Sequence, residues 1–411
     1  MSYDRKIENV RNDFPILCNH PELIYFDSGA TSLKPKTVID KVVDFYSNYT
    51  SNVGRGDYKN SVTVTTAFEA CRDRVREFVG AAKSEEIIFT SGATDSLNIA
   101  TFAFFKNIIK KGDVILTTYQ EHASCVLPAF KLAKENDAIV KYIPLTESGR
   151  IDIEAYEKMF DDNQIKAVFV AHISNVFGFI NPIKEITAIA HKNGAFVSVD
   201  GTQSAPHIKV NVADLDVDFF SFSSHKMLGP SGVGVLYGKE KHLKIMEPLR
   251  FGGGANARFN KECEIVFKPV PINFEAGTPP IEQVLGLHAA IDYLDSIGFE
   301  NIVEHEKTLS NKLIAGLKKF PNVKIHNETT DTGIVVFSFE GIFSQDVTSY
   351  LSKFDICLRG GNHCSKLTDN ITDTLDTLRA SLYVYNTEAE VDRFLEVCKT
   401  VTLENCIDIL F

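Results

Sequence analysis

No apolar run in this chain approaches the ~18 residues a bilayer-spanning helix needs, so a helical membrane protein is excluded. A secretory leader is not expected either, because Met1 Ser2 Tyr3 Asp4 Arg5 Lys6 is charged where a signal peptide carries its apolar core. The expected compartment is therefore cytoplasmic. Positive charge is scarce: 43 Lys and Arg stand against 54 Asp and Glu, a formal net charge of -11. Phosphate backbones are bound by clustered Lys and Arg, so nucleic acid is not expected as a main partner. Small molecules and proteins remain. The eight cysteines include no CxxC pair. Most are expected to be reduced, buried and inert. His122 with Cys125, and His363 with Cys364, each offer half a zinc site that no second pair completes, so no metal is expected. Internal repeats, low-complexity segments and long charge runs are missing too, which leaves no basis for a solenoid or a disordered arm.

What the chain does have is length and alternation. With 411 residues and 44% hydrophobic content it can build one large domain and a smaller one, each with its own core. From about Glu85 to Tyr237, short apolar runs alternate with helical stretches. Glu86–Thr90, Asp113–Thr117 and Ala167–Ala171 read as strands and Asp95–Ile109 as a helix. The pattern predicts an α/β chain with a large, doubly wound, mostly parallel sheet. Past Pro279 and Pro280 it changes to one long helical stretch from Ile281 to about Phe320. Strands around Ile334–Phe339 and Leu378–Leu382 follow, then a helix opened by a Thr387/Glu390 capping box. The expected division is a large domain over 21–285 and a smaller α+β domain from 1–20 and 286–411.

Two residues carry the chemistry. Ala195–Val199 ends in Asp200, and Val217–Phe222 leads through Ser223 Ser224 His225 into Lys226. Such runs read as buried parallel strands, whose carboxyl ends face the ligand crevice of an open sheet. A Lys amine there can form a Schiff base with an aldehyde cofactor, while a carboxylate paired with a ring nitrogen keeps the ring an electron sink. Either residue alone reads as a solvated charge or a turn former. Ser91 Gly92 Ala93 Thr94 Asp95 Ser96 opens a helix whose free amides favour a phosphate, although small polar residues before a helix are also ordinary caps. Gly232, Val233, Gly234 and Gly238 before Lys239 mimic a nucleotide loop, but their spacing fails and Glu240 follows Lys239 where Ser or Thr is required.

Together these residues resemble the fold type I pyridoxal phosphate (PLP) enzymes of the class V aminotransferase family. Over nearly its whole length the chain resembles the cysteine desulfurases of the SufS type: Tyr25 Phe26 Asp27 Ser28 Gly29 Ala30 Thr31, Arg55 Gly56, Leu378 Arg379 Ala380 Ser381 Leu382 Tyr383 and Tyr385 Asn386 Thr387 carry the likeness. The resemblance implies PLP on Lys226, with Asp200 at the ring nitrogen, His122 stacked on the ring, and Asn175 and Gln203 at its phenolic oxygen. It gives the phosphate to Ala93, Thr94, Ser223 and His225, with Thr278 reaching in from a second subunit of a homodimer. It implies that Arg379, with Asn175, binds the carboxylate of L-cysteine, and that Lys226 takes the α proton. His122 would move protons on the far face. Cys364, in Arg359 Gly360 Gly361 Asn362 His363 Cys364, would take the sulfur as a persulfide, leaving L-alanine. The thiolate would draw help from Arg359, His363 or the substrate, and the glycines would let the loop move. A sulfur acceptor of the SufU or SufE kind, serving iron–sulfur cluster assembly, is the implied partner.

The chain departs from that pattern at Gly54, Tyr58, Ala123, Ser224 and Asn362. None of these removes a group that would hold the cofactor, but several fall where protons would pass or an acceptor would dock. Two other readings stand beside the desulfurase. One is a class V β-lyase, selenocysteine lyase or aminotransferase in which Cys364 is incidental; the other is a non-catalytic scaffold, against which the retained Lys226 argues.

Overall fold

A computed structural model of the chain describes residues 7–161, 164–374 and 376–407. The charged segment Met1–Lys6 that weighed against a leader lies outside them. A seven-stranded sheet forms the body of the molecule. Its strands are β2 (Ile87–Thr90), β3 (Val114–Thr117), β4 (Ile139–Tyr142), β5 (Ile165–Ala171), β6 (Phe196–Asp200), β7 (Phe219–Ser223) and β8 (Gly234–Gly238), following β1 (Ile24–Tyr25) in the chain. Their order across the sheet is β2-β8-β7-β6-β5-β3-β4. Only β8 runs against the rest, pairing antiparallel with both β2 and β7.

Alternation along each strand explains why these runs are largely apolar at both parities. Val168 and Val170 of β5, with Val197 and Val199 of β6, enter the core on one face of the sheet. Ala167, Phe169, Phe196 and Phe219 enter the other. Side chains two apart share a face and both faces are covered, so apolar residues dominate each, with Ser198 and Ser221 as buried exceptions. Each fully buried Phe or Val contributes roughly 1.5–3 kcal/mol relative to an exposed one. Helical structure begins at Ala93 and reaches Ile108, with a π segment over Ala100–Phe105 that the sequence reading took for plain α-helix. There Phe104 packs edge-on to Phe105, Phe196 and His242.

The helical stretch expected to run unbroken from Ile281 to about Phe320 is two helices, Ile281–Ile297 and Phe299–Leu317. Gly298 separates them with φ 86°, a conformation that continues no helix and that glycine alone adopts freely. A single glycine does not interrupt apolar periodicity, which is why the break is silent in the sequence.

The second sheet holds β11 (Val323–Ile325), β12 (Ile334–Phe339), β14 (Arg359–Gly361) and β15 (Thr377–Ser381), preceded in the chain by the hairpin β9 (Asn256–Phe259) and β10 (Ile265–Phe267). Its core joins Val335, Phe337 and Leu378 to Phe394 of the last long helix, Glu388–Cys398. That helix is opened by the expected capping box: Glu390 N donates to Thr387 Oγ1 at 3.2 Å, and Thr387 N donates to Glu390 Oε2 at 2.8 Å. The N-terminal segment is shared between the cores. Val10, Phe14 and Leu17 pack with the large one, whereas Ile24 and Phe26 pack with the small one, where β1 pairs with β13 (Ile356–Cys357). A third contact surface joins the layers: Phe177 and Phe179, just past β5, pack on Ile334 and Val336 of β12.

Candidate active site

The carboxyl ends of β2, β3, β5, β6 and β7 meet at a cavity of about 200 Å³, walled on the far side by Arg359 and Arg379 of the small sheet. Because β8 runs backwards, it starts here instead of ending here. Gly234 faces Thr90 and Ser223, and a Cβ on it would lie 2.5 Å from Gly92 Cα, so only glycine lets the turn after β2 close over this edge.

Lys226 ends a single turn, Ser224–Lys226, that directly follows β7. That turn is pinned through one atom: the His225 carbonyl accepts from Ser32 N at 3.0 Å, Ser32 Oγ at 3.1 Å, Thr31 Oγ1 at 3.1 Å and Lys34 Nζ at 2.9 Å. The amine lines the cavity and makes no hydrogen bond among the described residues. Dehydration by burial, with the charge of Arg379 added, lowers its pKa to about 8 against the opposing pull of Asp200. Near neutral pH a useful fraction is then free amine, able to attack a carbonyl or accept a proton.

Asp200 closes β6 and is buried, its Oδ1 accepting from Thr202 N at 2.9 Å. His122 caps helix Ala123–Glu135, Nδ1 accepting from Ser124 N at 3.1 Å. Burial, reinforced by the Lys226 charge, lowers its pKa to about 4. A neutral ring with Nδ1 as acceptor carries its proton on Nε2. His225, beside Thr31 Oγ1 at 3.2 Å, is likewise lowered to about 4 by burial and by Lys226.

Ala93 and Thr94 open the helix after β2. Ala93 N donates to Ser223 Oγ at 2.6 Å, and Thr94 Oγ1 lies 2.7 Å from Ser124 Oγ. Gln203 donates through Nε2 to Gly29 O at 3.0 Å, leaving Oε1 buried without a partner. All of these residues line the one cavity.

Three expected positions differ. Thr278 is exposed and outside the cavity, where Asn52 Nδ2 donates to its Oγ1 at 3.4 Å. Cys364 does not line the cavity either: it sits behind Arg359, whose Nη2 donates to its Sγ at 3.1 Å. Asn175 lines the cavity, yet its amide is committed to the cysteine loop, with Nδ2 donating to His363 O at 3.0 Å and Oδ1 accepting from Ser365 Oγ at 2.9 Å.

Arg379 is buried with 1% exposure. Its Nη1 donates to Asn175 O at 2.8 Å, its Nη2 approaches Asp27 Oδ1 at 3.3 Å, and its Nε has no partner. Burial lowers its pKa and raises that of Asp27, whose carboxyl the neighbouring arginines only partly hold down. Asp27 was part of the recognised stretch Tyr25–Thr31, but nothing in the sequence gave it a role. Glu121 was missed outright. Wholly buried under the site, it accepts from Thr118 Oγ1 at 2.7 Å, and burial raises its pKa to about 8. Cys125 belongs to the core, its thiol pushed well up by burial. Of the eight cysteines four are buried and two, Cys18 and Cys263, are exposed. No cluster of metal-ligating side chains occurs among the described residues.

A flat aldehyde with a phosphate tail fits these groups. The cavity offers an unpaired amine, a carboxylate, a helix start beside two hydroxyls, and the orphaned Gln203 Oε1 and Thr202 Oγ1. Buried polar atoms left unpaired are costly, so a polar ligand completes the site.

Comparison with known proteins agrees with this geometry. The family model described as aminotransferase class-V matches residues 24–394. A "Probable cysteine desulfurase" of Halalkalibacterium halodurans is 41% identical, over 93% of this chain and 95% of its own. The "Cysteine desulfurase" of Haloferax volcanii is 37% identical, over 96% of each. Among solved structures, the apo cysteine desulfurase of Thermococcus onnurineus NA1 superposes with TM-score 0.91 at 37% identity, covering 97% of this chain and 99% of its own.

Proposed function

Since the chain belongs to the class V aminotransferase family, we propose how its residues divide the work of a PLP-dependent cysteine desulfurase, which takes sulfur from L-cysteine and leaves L-alanine. Bound PLP supplies an aldehyde to bind the substrate amine and a ring to delocalise the electrons released at its α carbon. Lys226 would hold the aldehyde and Asp200 would pair with the ring nitrogen. Ala93, Thr94, Ser223 and His225 would hold the phosphate, and Gln203 and Asn175 would contact the ring edge. His122 would cover one face, its Nε2–H available to exchange a proton there. The Arg379 guanidinium, with a free Nε, takes the substrate carboxylate. The Lys226 amine would accept the α proton of the substrate.

Cys364 then receives the sulfur. Its thiolate attacks the substrate sulfur, an S–S bond forms and the Cβ–S bond breaks. The carbon fragment keeps that bonding pair and is protonated, so Cys364–SH and L-cysteine become Cys364–S–SH and L-alanine. The observation carrying this reading is the Arg359 contact with Cys364 Sγ at 3.1 Å, from a guanidinium that also lines the cavity opposite Lys226. Such a donor bonds most strongly to sulfur in its anionic form.

Further parts of the reading concern assembly. In the proposed homodimer, Thr278, exposed in its own subunit, reaches the partner's phosphate site. The persulfide passes to an acceptor protein of the SufU or SufE kind, feeding iron–sulfur cluster assembly in the cytoplasm. The chain divides on this reading into a large domain over 21–285 and a small one from 1–20 and 286–411; the packing adds Val10, Phe14 and Leu17, the helix Ile281–Ile297 with Phe299 and Ile302, and Tyr383–Tyr385 to the large core.

Cys364→Ser decides between desulfurase and lyase. The variant should bind L-cysteine, seen as a change in the cofactor's absorbance, but form no persulfide and lose alanine production by about 100-fold or more. Unimpaired sulfur release, with pyruvate as the carbon product, would make a β-lyase the correct reading.

A further inference from the structure

Cys364 is held in a conformation that its own backbone resists. His363 and Cys364 both lie in the left-handed region, with φ 52° and 60°, where consecutive side-chain-bearing residues are strained. Such strain persists only when the surroundings enforce it. Here the enforcing contacts are few and specific. Asn362 Oδ1 accepts from Cys364 N at 3.1 Å. Ala123 N, in the residue after His122, donates to Cys364 O at 2.8 Å. The Asn175 amide is gripped at both ends, by His363 O and by Ser365 Oγ, and its backbone carbonyl takes the Arg379 guanidinium. Ser365 has 1% exposure, and its hydroxyl hydrogen bond runs to Asn175 alone among the described residues.

We propose that Ser365, acting through Asn175, and Asn362, acting on the Cys364 amide, are positioning residues that hold the Cys364 sulfur against Arg359, a residue that walls the cavity. Asn362 stands where the family resemblance leads one to expect histidine, and its short amide side chain reaches a backbone N–H two residues on. Asn175 therefore joins two jobs. It borders the ligand cavity and also fixes the loop that bears the nucleophile. The inference rests on the desulfurase reading for what the sulfur does, but the holding itself can be measured without turnover.

The test uses the full-length protein and iodoacetamide, with the peptides carrying Cys364, Cys18 and Cys263 followed by mass spectrometry. The last two cysteines are exposed and serve as internal references. Ser365→Ala and Asn362→Ala should each raise the Cys364 rate threefold or more relative to the references. In the PLP-loaded protein each should also slow single-turnover persulfide formation at least fivefold, while the absorbance titration with L-cysteine stays at its native midpoint. If Cys364 in both variants is alkylated within twofold of the native rate, the positioning role is overturned. Failure of the desulfurase reading would look different: unmodified protein would form no persulfide on Cys364 from L-cysteine, whatever the alkylation rates.

Discussion

Strands β6 and β7 have a carboxylate near each end of the sheet, and the two are treated in opposite ways. Asp200, at the carboxyl end, is buried with a single backbone donor recorded to it, from Thr202 N, and faces a cavity lined by an unpaired amine and two guanidinium groups. Asp218, just before the amino end of β7, accepts three hydrogen bonds and has a lysine nearby. Val197 N donates to Oδ2 at 2.8 Å, His191 Nε2 and His242 Nε2 each lie at 2.8 Å, and Lys239 Nζ stands 3.7 Å away. Those partners hold the Asp218 carboxyl well below the usual carboxylate range despite its burial, and Asp218 raises His191 in turn. A satisfied buried carboxylate is a joint; an under-satisfied one beside a cavity is waiting for a ligand.

Substituting the two residues should separate these roles. Asp200→Asn should keep the fold and the cofactor but lower turnover about 10²–10³-fold, the scale of losing one preorganised charge at a reacting centre. Native kcat with cofactor bound would reduce Asp200 to a turn former. Asp218→Asn should do the reverse: per folded molecule the turnover is native, but the free energy of unfolding falls by about 3 kcal/mol, as when one partner of a buried ionic cluster is removed. Denaturant unfolding measures it, and an unchanged midpoint would break the comparison.

His191→Gln is the finest probe. The His191 pKa is raised in the folded state, chiefly by its hydrogen bond to Asp218, so its contribution is fully present below the unfolded value of about 6.5 and fades as pH climbs through the raised one. The variant should therefore be less stable than the native protein near pH 6 by no more than ~1 kcal/mol, because the ring is half-exposed and screened, and equally stable at alkaline pH. A gap that widens with rising pH would reverse the assignment.

The difference between the two carboxylates also marks what a sequence can tell. Asp200 and Lys226 were legible because strand endings mark where a crevice must lie, and β12 was read residue for residue as Ile334–Phe339. The Asp218 joint was not, because His191 and His242 come from separate helices and obey no spacing rule. The same holds for Asn175 and Ser365, 190 positions apart, and for Ser32 with His225, 193 apart. The family resemblance singled out Cys364; only the folded backbone shows that it sits behind Arg359 instead of in the cavity. Gly298 shows the complementary failure, in which a local break leaves the apolar period intact.

The strap from Asp27 to Lys34 touches Arg379, Tyr385 and the His225 carbonyl, so the site draws on stretches of chain that are far apart in the order of synthesis. A ribosome finishes the amine-bearing turn on the order of ten seconds before it reaches Arg379. On the proposed assignment, the residues for the aldehyde and phosphate are synthesised well before Arg379 and Cys364, the residues for the substrate carboxylate and the sulfur. The site is therefore complete only when the last strand of the small sheet is in place.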